Sequence, residues 1–324
     1  MSTNKINLVS YIDANYLPKF LICYNSLQKE FGDKFIMHLH CFDNTTYKIL
    51  SEYNLPNLKL YNKEEFEIKE AVSQKQNKKS YEYYWTYTPI VLDQIMKKTR
   101  DDDLVVYMDT DMMFFNSPQV IFDELEDKDV LIQPNNFSVR ERWQFDPIGY
   151  YCTSFNVFRN NENTRRIVDE WKVQCLTWCG SDFRTGQFGD QKYMDYWRDE
   201  YAKIREVTVV GANIAPWNIH KYDISTRNGR VFVNNNPLIY YHFHAFKMSF
   251  DDLSYMIEGD RDNHYDIRDD AIENIYKPYI SAYRSVLTDL KQNADFINYI
   301  GLNPKGNVGW YDESDKLGRV RKSK

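Results

Sequence analysis

Leu104 to Met108 (LVVYM) is a short unbroken apolar run, and Asp109-Thr110-Asp111 follows it directly. Such a run marks a strand buried on both faces, the kind found in a parallel sheet covered by helices. Open α/β sheets bind ligands beside the carboxyl ends of their strands, where these two carboxylates emerge. Acids one residue apart at such an edge suit a divalent cation, and the cation suits a diphosphate. The pattern therefore implies a metal-dependent site for a nucleotide-sugar. The same D-x-D spacing recurs at Asp101/Asp103, Asp127/Asp129 and Asp260/Asp262. Those pairs lie in charged, turn-like surroundings or ahead of a strand and read as solvated surface. The Asp109 pair alone ends an apolar strand and runs back into apolar sequence.

The 324 residues suit one large α/β domain or one domain with an appendage. A net charge of −6 offers no basic field to nucleic acid. The N-terminus carries no secretory h-region, and no apolar stretch approaches the ~20 residues of a membrane span. Five irregularly spaced cysteines point to reduced thiols in a cytoplasmic protein, and Cys175-x3-Cys179 lacks the second pair of a zinc site. Tyrosine is abundant at 26 residues, which fits either a sugar-handling surface or compositional drift.

Strands are expected at 7–12, 35–42, 58–61, 104–108, 130–133, 153–158, 207–210 and 238–244. Helical patterns fall between most of them, at 17–31, 81–96 and 164–179 among others. Residues 63–80 read as polar surface cover, with or without helix, and 135–150 as a long loop of mixed charged and aromatic residues, a length that favours function. Alternation of strand and helix over 1–250 predicts a mostly parallel α/β sheet flanked by helices. Residues 251–324 form a helical extension that ends in a basic tail, 319–324.

Four further groups carry chemistry. In Leu238-Ile239-Tyr240-Tyr241-His242-Phe243-His244, strand alternation puts His242 and His244 on one face, roughly 6.6 Å apart along the strand. Either supplies a nitrogen ligand beside the aspartates, and an imidazole among carboxylates favours Mn²⁺, with Mg²⁺ as the alternative. Lys247 adds positive charge just downstream. Phe188-Gly189-Asp190-Gln191 opens a helix, where Asp190 is either an N-cap or a reacting carboxylate. Asn156, at the end of a strand in Ser154-Phe155-Asn156, is placed to hold a sugar hydroxyl. Asn213-Ile214-Ala215-Pro216-Trp217-Asn218 offers an indole face and an amide, for a sugar or as a loop anchor.

Taken in order, an N-terminal strand–helix start, a strand ending in D-x-D, F-N, G-D-Q before a helix and a late histidine-bearing strand resemble the GT-A glycosyltransferases. They are most similar to the retaining family that contains lipopolysaccharide galactosyltransferases and glycogenin. The resemblance covers residues 6–247. It implies a Rossmann-like nucleotide-sugar fold with Mn²⁺ on Asp109, Asp111 and His242. It also implies Asn156, Asp190 and Gln191 around the donor sugar and Lys247 near the diphosphate. The late motif departs from the family's H-x-x-G-x-x-K-P-W: Ala245 replaces glycine, the lysine comes early, and no Pro-Trp follows it. His242 and His244 therefore both remain candidates.

The implied activity is transfer of a sugar from a nucleoside-diphosphate sugar, UDP-sugar favoured, to an acceptor hydroxyl on a glycan or glycolipid. The D-Q resemblance favours retention, which needs no base if the leaving phosphate takes the proton; inversion would need a carboxylate base, for which Asp182, Asp190 and Asp195 are the candidates. Membrane contact is at most peripheral, through the basic tail. The competing reading is a non-catalytic glycan- or nucleotide-sugar-binding protein on the same fold. A nucleotidyltransferase would show a Gly-rich loop after the first strand, and a haloacid-type phosphatase would place its D-x-D near the N-terminus.

Overall fold

The computed structural model describes residues 5–250, 253, 255–257 and 265–302. The basic tail at 319–324 and the Asp260/Asp262 pair lie outside the described residues. The central sheet is built from β1 (Ile6–Ile12), β2 (Phe35–Cys41), β3 (Leu58–Tyr61) and β4 (Leu104–Met108). After β5 (Met112–Phe114), which leaves this sheet, come β6 (Val130–Pro134), β7 (Tyr151–Arg159) and β8 (Ile204–Glu206). The spatial order is β3-β2-β1-β4-β7-β6-β8. Neighbours run parallel except at β7, which is antiparallel to both β4 and β6. The sheet is mostly parallel, as the alternation of strands and helices predicts. The antiparallel direction of β7 is not written in its apolar run.

Burial on both faces explains the unbroken apolar run of β4. Val106 and Met108 join Leu8 of β1 in one core, against helix α1 (Leu17–Phe31). Val105 and Tyr107 join Val9 in the other, against the helices Thr88–Met96 and Glu162–Thr177. A strand filling both cores has no solvent face and hence no polar alternation. The helix Lys277–Leu290 packs along α1, and its Tyr279 ring stacks on Phe243 at 3.6 Å. The C-terminal helical region thus shares the first core.

Chain order leaves β1 in one direction toward β2 and β3, and in the other toward β4. The two strands that part company lie side by side, and a crevice opens at their carboxyl ends. Asp13 follows β1 there and Asp109 follows β4. A small meander, β9 (Ile224–Arg227), β10 (Arg230–Val233) and β11 (Asn236–Pro237), leads into β12 (Tyr240–His242), which pairs antiparallel with β5.

Local readings shift in several places. The strand expected at 207–210 is β8, three residues earlier, and that expected at 238–244 is β12, which ends at His242. The polar segment at 63–80 contains the helices Lys63–Phe66 and Lys69–Gln74, and 135–150 holds a 3₁₀ turn and one helical turn. Asp103 and Asp129 are buried, not solvated. Asp103 accepts from the Arg100 backbone N–H, and Asp129 accepts from the Asn161 and Asn163 amides. All five cysteines are free and buried. Among the described residues no helix is long and apolar enough to cross a membrane.

Candidate active site

Two backbone ladders carry the acid pair to the histidine. The Asp109 N–H bonds Ser154 O at 2.9 Å, continuing the β4–β7 pairing past the end of β4. The chain then turns at Asp111 into β5, where Met112 stands opposite His242. The Phe243 N–H closes the ladder on Asp111 O at 2.8 Å, and the His242 N–H is held by Ile214 O at 2.8 Å. His242 Nε2 consequently lies 3.0 Å from Asp111 Oδ1 and 3.9 Å from Asp109 Oδ2. One ligand atom from each of the three falls within 4.8 Å of the others. Two carboxylates and an imidazole, converging in a half-dry crevice, are a donor set that can hold a divalent cation.

The electrostatics divide the pair. Burial, only partly offset by His242, holds the Asp109 carboxyl above its ordinary range. Burial opposes ionisation of Asp111 too, but His242 and Lys19 outweigh it and hold that carboxyl well below the ordinary range. Burial disfavours the His242 cation, yet Asp111 keeps its proton on well above the ordinary histidine value. Asp190 is pushed up to about 7, by burial first and then by the nearby Asp109 charge, against a hydrogen bond from Thr88.

His244 does not join the group. The chain leaves the strand at His242 and turns through Ala245 at φ 60°, which ends the alternation the sequence reading relied on. Its ring instead sits 6.0 Å from the His242 ring and 5.6 Å from that of Trp217. Asn156 is not at a strand end. It pairs with Tyr107 in mid-strand, fully buried, with its amide accepting from the Gln133 N–H (2.8 Å) and donating to Cys152 O (3.0 Å). Trp217 packs its ring against His242 at 5.2 Å while Nε1 donates to Asn135 O. Asn218 is buried, and its amide is spent on Ala215 N, Asn135 O and Asn213 O. Both therefore anchor the loop behind the histidine.

Asp190 is buried at the start of a 3₁₀ turn, where it makes no side-chain cap bond. Gln191 donates to Ile148 O at 3.0 Å. Of the other carboxylates weighed as bases, Asp182 is paired with Arg184 and Asp195 accepts from the Tyr150 N–H. Lys247 starts a short strand and lines the cleft with Lys19, Asn15 and Tyr16.

Sequence reasoning missed Lys19, whose Nζ is 3.7 Å from Asp111 Oδ2. It also missed Tyr84, Tyr11 and Tyr107. Tyr107 donates to Asp109 Oδ1 at 3.2 Å, and Tyr84 to Asp13 Oδ2 at 3.0 Å. Lysine on a buried helix was the available signal for Lys19; the tyrosines look like ordinary core.

A family model described as nucleotide-diphospho-sugar transferase matches residues 35–228. The uncharacterized protein YfnD of Bacillus subtilis (strain 168) is 30% identical over 272 residues, covering 83% of this chain and 86% of YfnD. YfnF of the same organism is 28% identical over 215 residues, covering 64% of this chain and 71% of its own length. Among solved structures, an active-site mutant of LgtC superposes with a TM-score of 0.51 at 13% identity, over 74% of this chain and 87% of that one.

Proposed function

Since the chain belongs to the nucleotide-diphospho-sugar transferase family, and is a glycosyltransferase of GT-A fold, we propose that it uses a divalent cation, Mn²⁺ by preference, to move a sugar from a UDP-sugar to a hydroxyl of a glycan or glycolipid, with retention. The observation that carries this reading is the convergence of Asp109, Asp111 and His242 at the carboxyl end of β4. A nitrogen ligand beside two carboxylates suits Mn²⁺ better than the all-oxygen preference of Mg²⁺.

A cation bound there would draw off the charge that builds on the departing diphosphate. The protein's own groups do the rest. Asp109 and Asp111 would hold the ion, and Trp217 packs edge-on against the His242 ring that would complete the site. Lys247 faces the cleft where the diphosphate would lie. By the resemblance, Asp190, close enough to Asp109 to feel its charge, and Gln191 would border the reaction face. Asp182 and Asp195 are engaged elsewhere, and Asp190, pushed up to about 7, is a carboxyl half protonated near neutrality. Asp190 is thus the carboxylate that could serve inversion, and retention, in which the leaving phosphate takes the acceptor's proton, rests on the G-D-Q resemblance.

The test is thermal shift with UDP-, GDP- and dTDP-sugars, each with and without Mn²⁺, on the parent and on Asp111→Ala. The proposal expects stabilisation by a UDP-sugar that requires Mn²⁺ and vanishes in the variant. An unchanged response in Asp111→Ala removes the acid pair from the site. Turnover of the bound donor to free UDP then separates the enzyme from a binder that merely holds nucleotide-sugar.

A further inference from the structure

Both oxygens of Asp111 already have partners in this chain. His242 Nε2 lies 3.0 Å from Oδ1, and Lys19 Nζ lies 3.7 Å from Oδ2. Lys19 comes from the first turn of α1, and its side chain is 9% exposed. Its ammonium also sits over the Tyr16 ring, 4.4 Å from the centroid. A lysine so deeply placed is costly unless its charge is used. Most of the buried positions of α1 are apolar, and the other buried polar one, Ser26, is spent on Cys23 O and the Phe114 N–H. Lys19 also lines the cleft that Lys247 borders.

We propose that Lys19 is a positioning residue that couples cation binding to diphosphate binding. In the nucleotide-free protein its ammonium holds Asp111 in the cation's stead and repels an incoming ion. When a nucleoside diphosphate enters, the ammonium turns to the phosphate oxygens beside Lys247 and releases the carboxylate. This rests on the metal site proposed above and adds a regulator to it.

The charges require some such arrangement. Two carboxylates nearly balance a divalent ion, and an ammonium added within a few ångströms makes the site net positive. Like charges at that separation repel strongly in a partly dry crevice. A diphosphate reverses the sign and gives the ammonium a partner. Lysine suits the movement, because its charge sits on a flexible four-carbon stem with three donors free to rotate. Linkage then demands reciprocity: the factor by which UDP improves Mn²⁺ binding equals the factor by which Mn²⁺ improves UDP binding.

The experiment titrates the full chain with Mn²⁺ alone, UDP alone and both, following free Mn²⁺ by electron paramagnetic resonance and heat by calorimetry. Parent, Lys19→Met and Lys19→Arg are compared, with Lys19→Gln in reserve if the methionine variant does not fold. Lys19→Met should bind Mn²⁺ alone about tenfold more tightly, while its UDP–Mn²⁺ coupling factor falls about tenfold. Lys19→Arg should keep most of the coupling. Loss of any nearby ammonium eases Mn²⁺ binding, so the fall in the UDP–Mn²⁺ coupling factor is the readout that a merely structural lysine would not move. A folded Lys19→Met protein with unchanged or weaker Mn²⁺ affinity and parental coupling overturns the role of Lys19 alone. If the parent binds no Mn²⁺ with or without UDP, the metal site itself is refuted and this inference goes with it.

Discussion

Met112 and His242 are direct partners in the antiparallel pair of β5 and β12, so the residue after Asp111 fixes where the imidazole stands. Register, more than sequence spacing, decides which of the two late histidines meets the acids. His242→Ala should lower Mn²⁺ affinity in the presence of UDP by roughly 100-fold, the scale of losing a ligand or more than one of its supports. His244→Ala should change it by less than about threefold, since the group of ligand atoms is formed by Asp109, Asp111 and His242. Calorimetric Mn²⁺ titrations of the two variants decide the matter, and equal losses would mean that both imidazoles act together.

Asp190 makes stability depend on pH. Its folded pKa is raised from 3.8 to about 7, so ionisation is harder in the folded chain than in the unfolded one. Below pH 3.8 both states hold the proton and nothing is lost. As pH rises toward 7 the unfolded chain gives up its proton first, and folding weakens by up to about 4 kcal/mol. Asp190→Asn abolishes that slope. In urea melts of metal-free protein at pH 5, 6 and 7.5, the variant should gain steadily on the parent. A constant difference would place Asp190 in a wetter setting than the structure gives it.

Much of this was legible in the chain. The run into Asp109 announces both a doubly buried strand and a ligand edge, because burial and chemistry are written in adjacent residues. The late histidine-bearing strand was also visible, but its end was not: the turn at Ala245 is set by backbone geometry that alanine does not advertise. Asn156 shows the opposite failure. An amide near a strand looks like a ligand holder, yet it is spent on a bulge between β6 and β7 that no local pattern reveals. Lys19 was hidden for a third reason, since its partner lies 92 positions along the sequence (111 − 19) and only the fold joins them.

Asn156→Ala should therefore act on stability before it acts on substrate. The buried amide satisfies Gln133 N–H and Cys152 O, and removing it strands both at the sheet's irregular register. A loss of about 2–3 kcal/mol in urea unfolding is expected from groups left without partners in a dry interior. Mn²⁺–UDP affinity of the folded variant should stay within about threefold of the parent. A stable variant that binds donor poorly would restore the residue to the sugar site.

Gly211 positions the histidine strand from behind. Its carbonyl accepts from the Ile239 and Tyr240 N–H groups, and its φ is +101°. A Cβ there would stand 2.2 Å from Pro237 O, a contact no side chain can make, so the backbone must give way. Gly211→Ala should cost more than about 2 kcal/mol and, in what remains folded, shift β12 and weaken Mn²⁺ binding. Stability and metal affinity are expected to fall together, which separates this variant from Asn156→Ala.

Ala245→Gly should move the other way. Ala245 occupies φ 60° in the turn closed by Phe246 N–H on Phe243 O, a position where glycine has no Cβ penalty. Relieving that strain is worth roughly 1–2 kcal/mol, and the greater freedom of glycine in the unfolded chain takes part of it back. The expected net gain is about 0.5–1 kcal/mol, read as a raised urea midpoint. The turn carries the chain from His242 to Lys247, so the same variant should also loosen the approach of that lysine to the cleft. A more stable protein with weaker UDP affinity would show that alanine is kept here to hold the lysine's path, at a standing cost in stability.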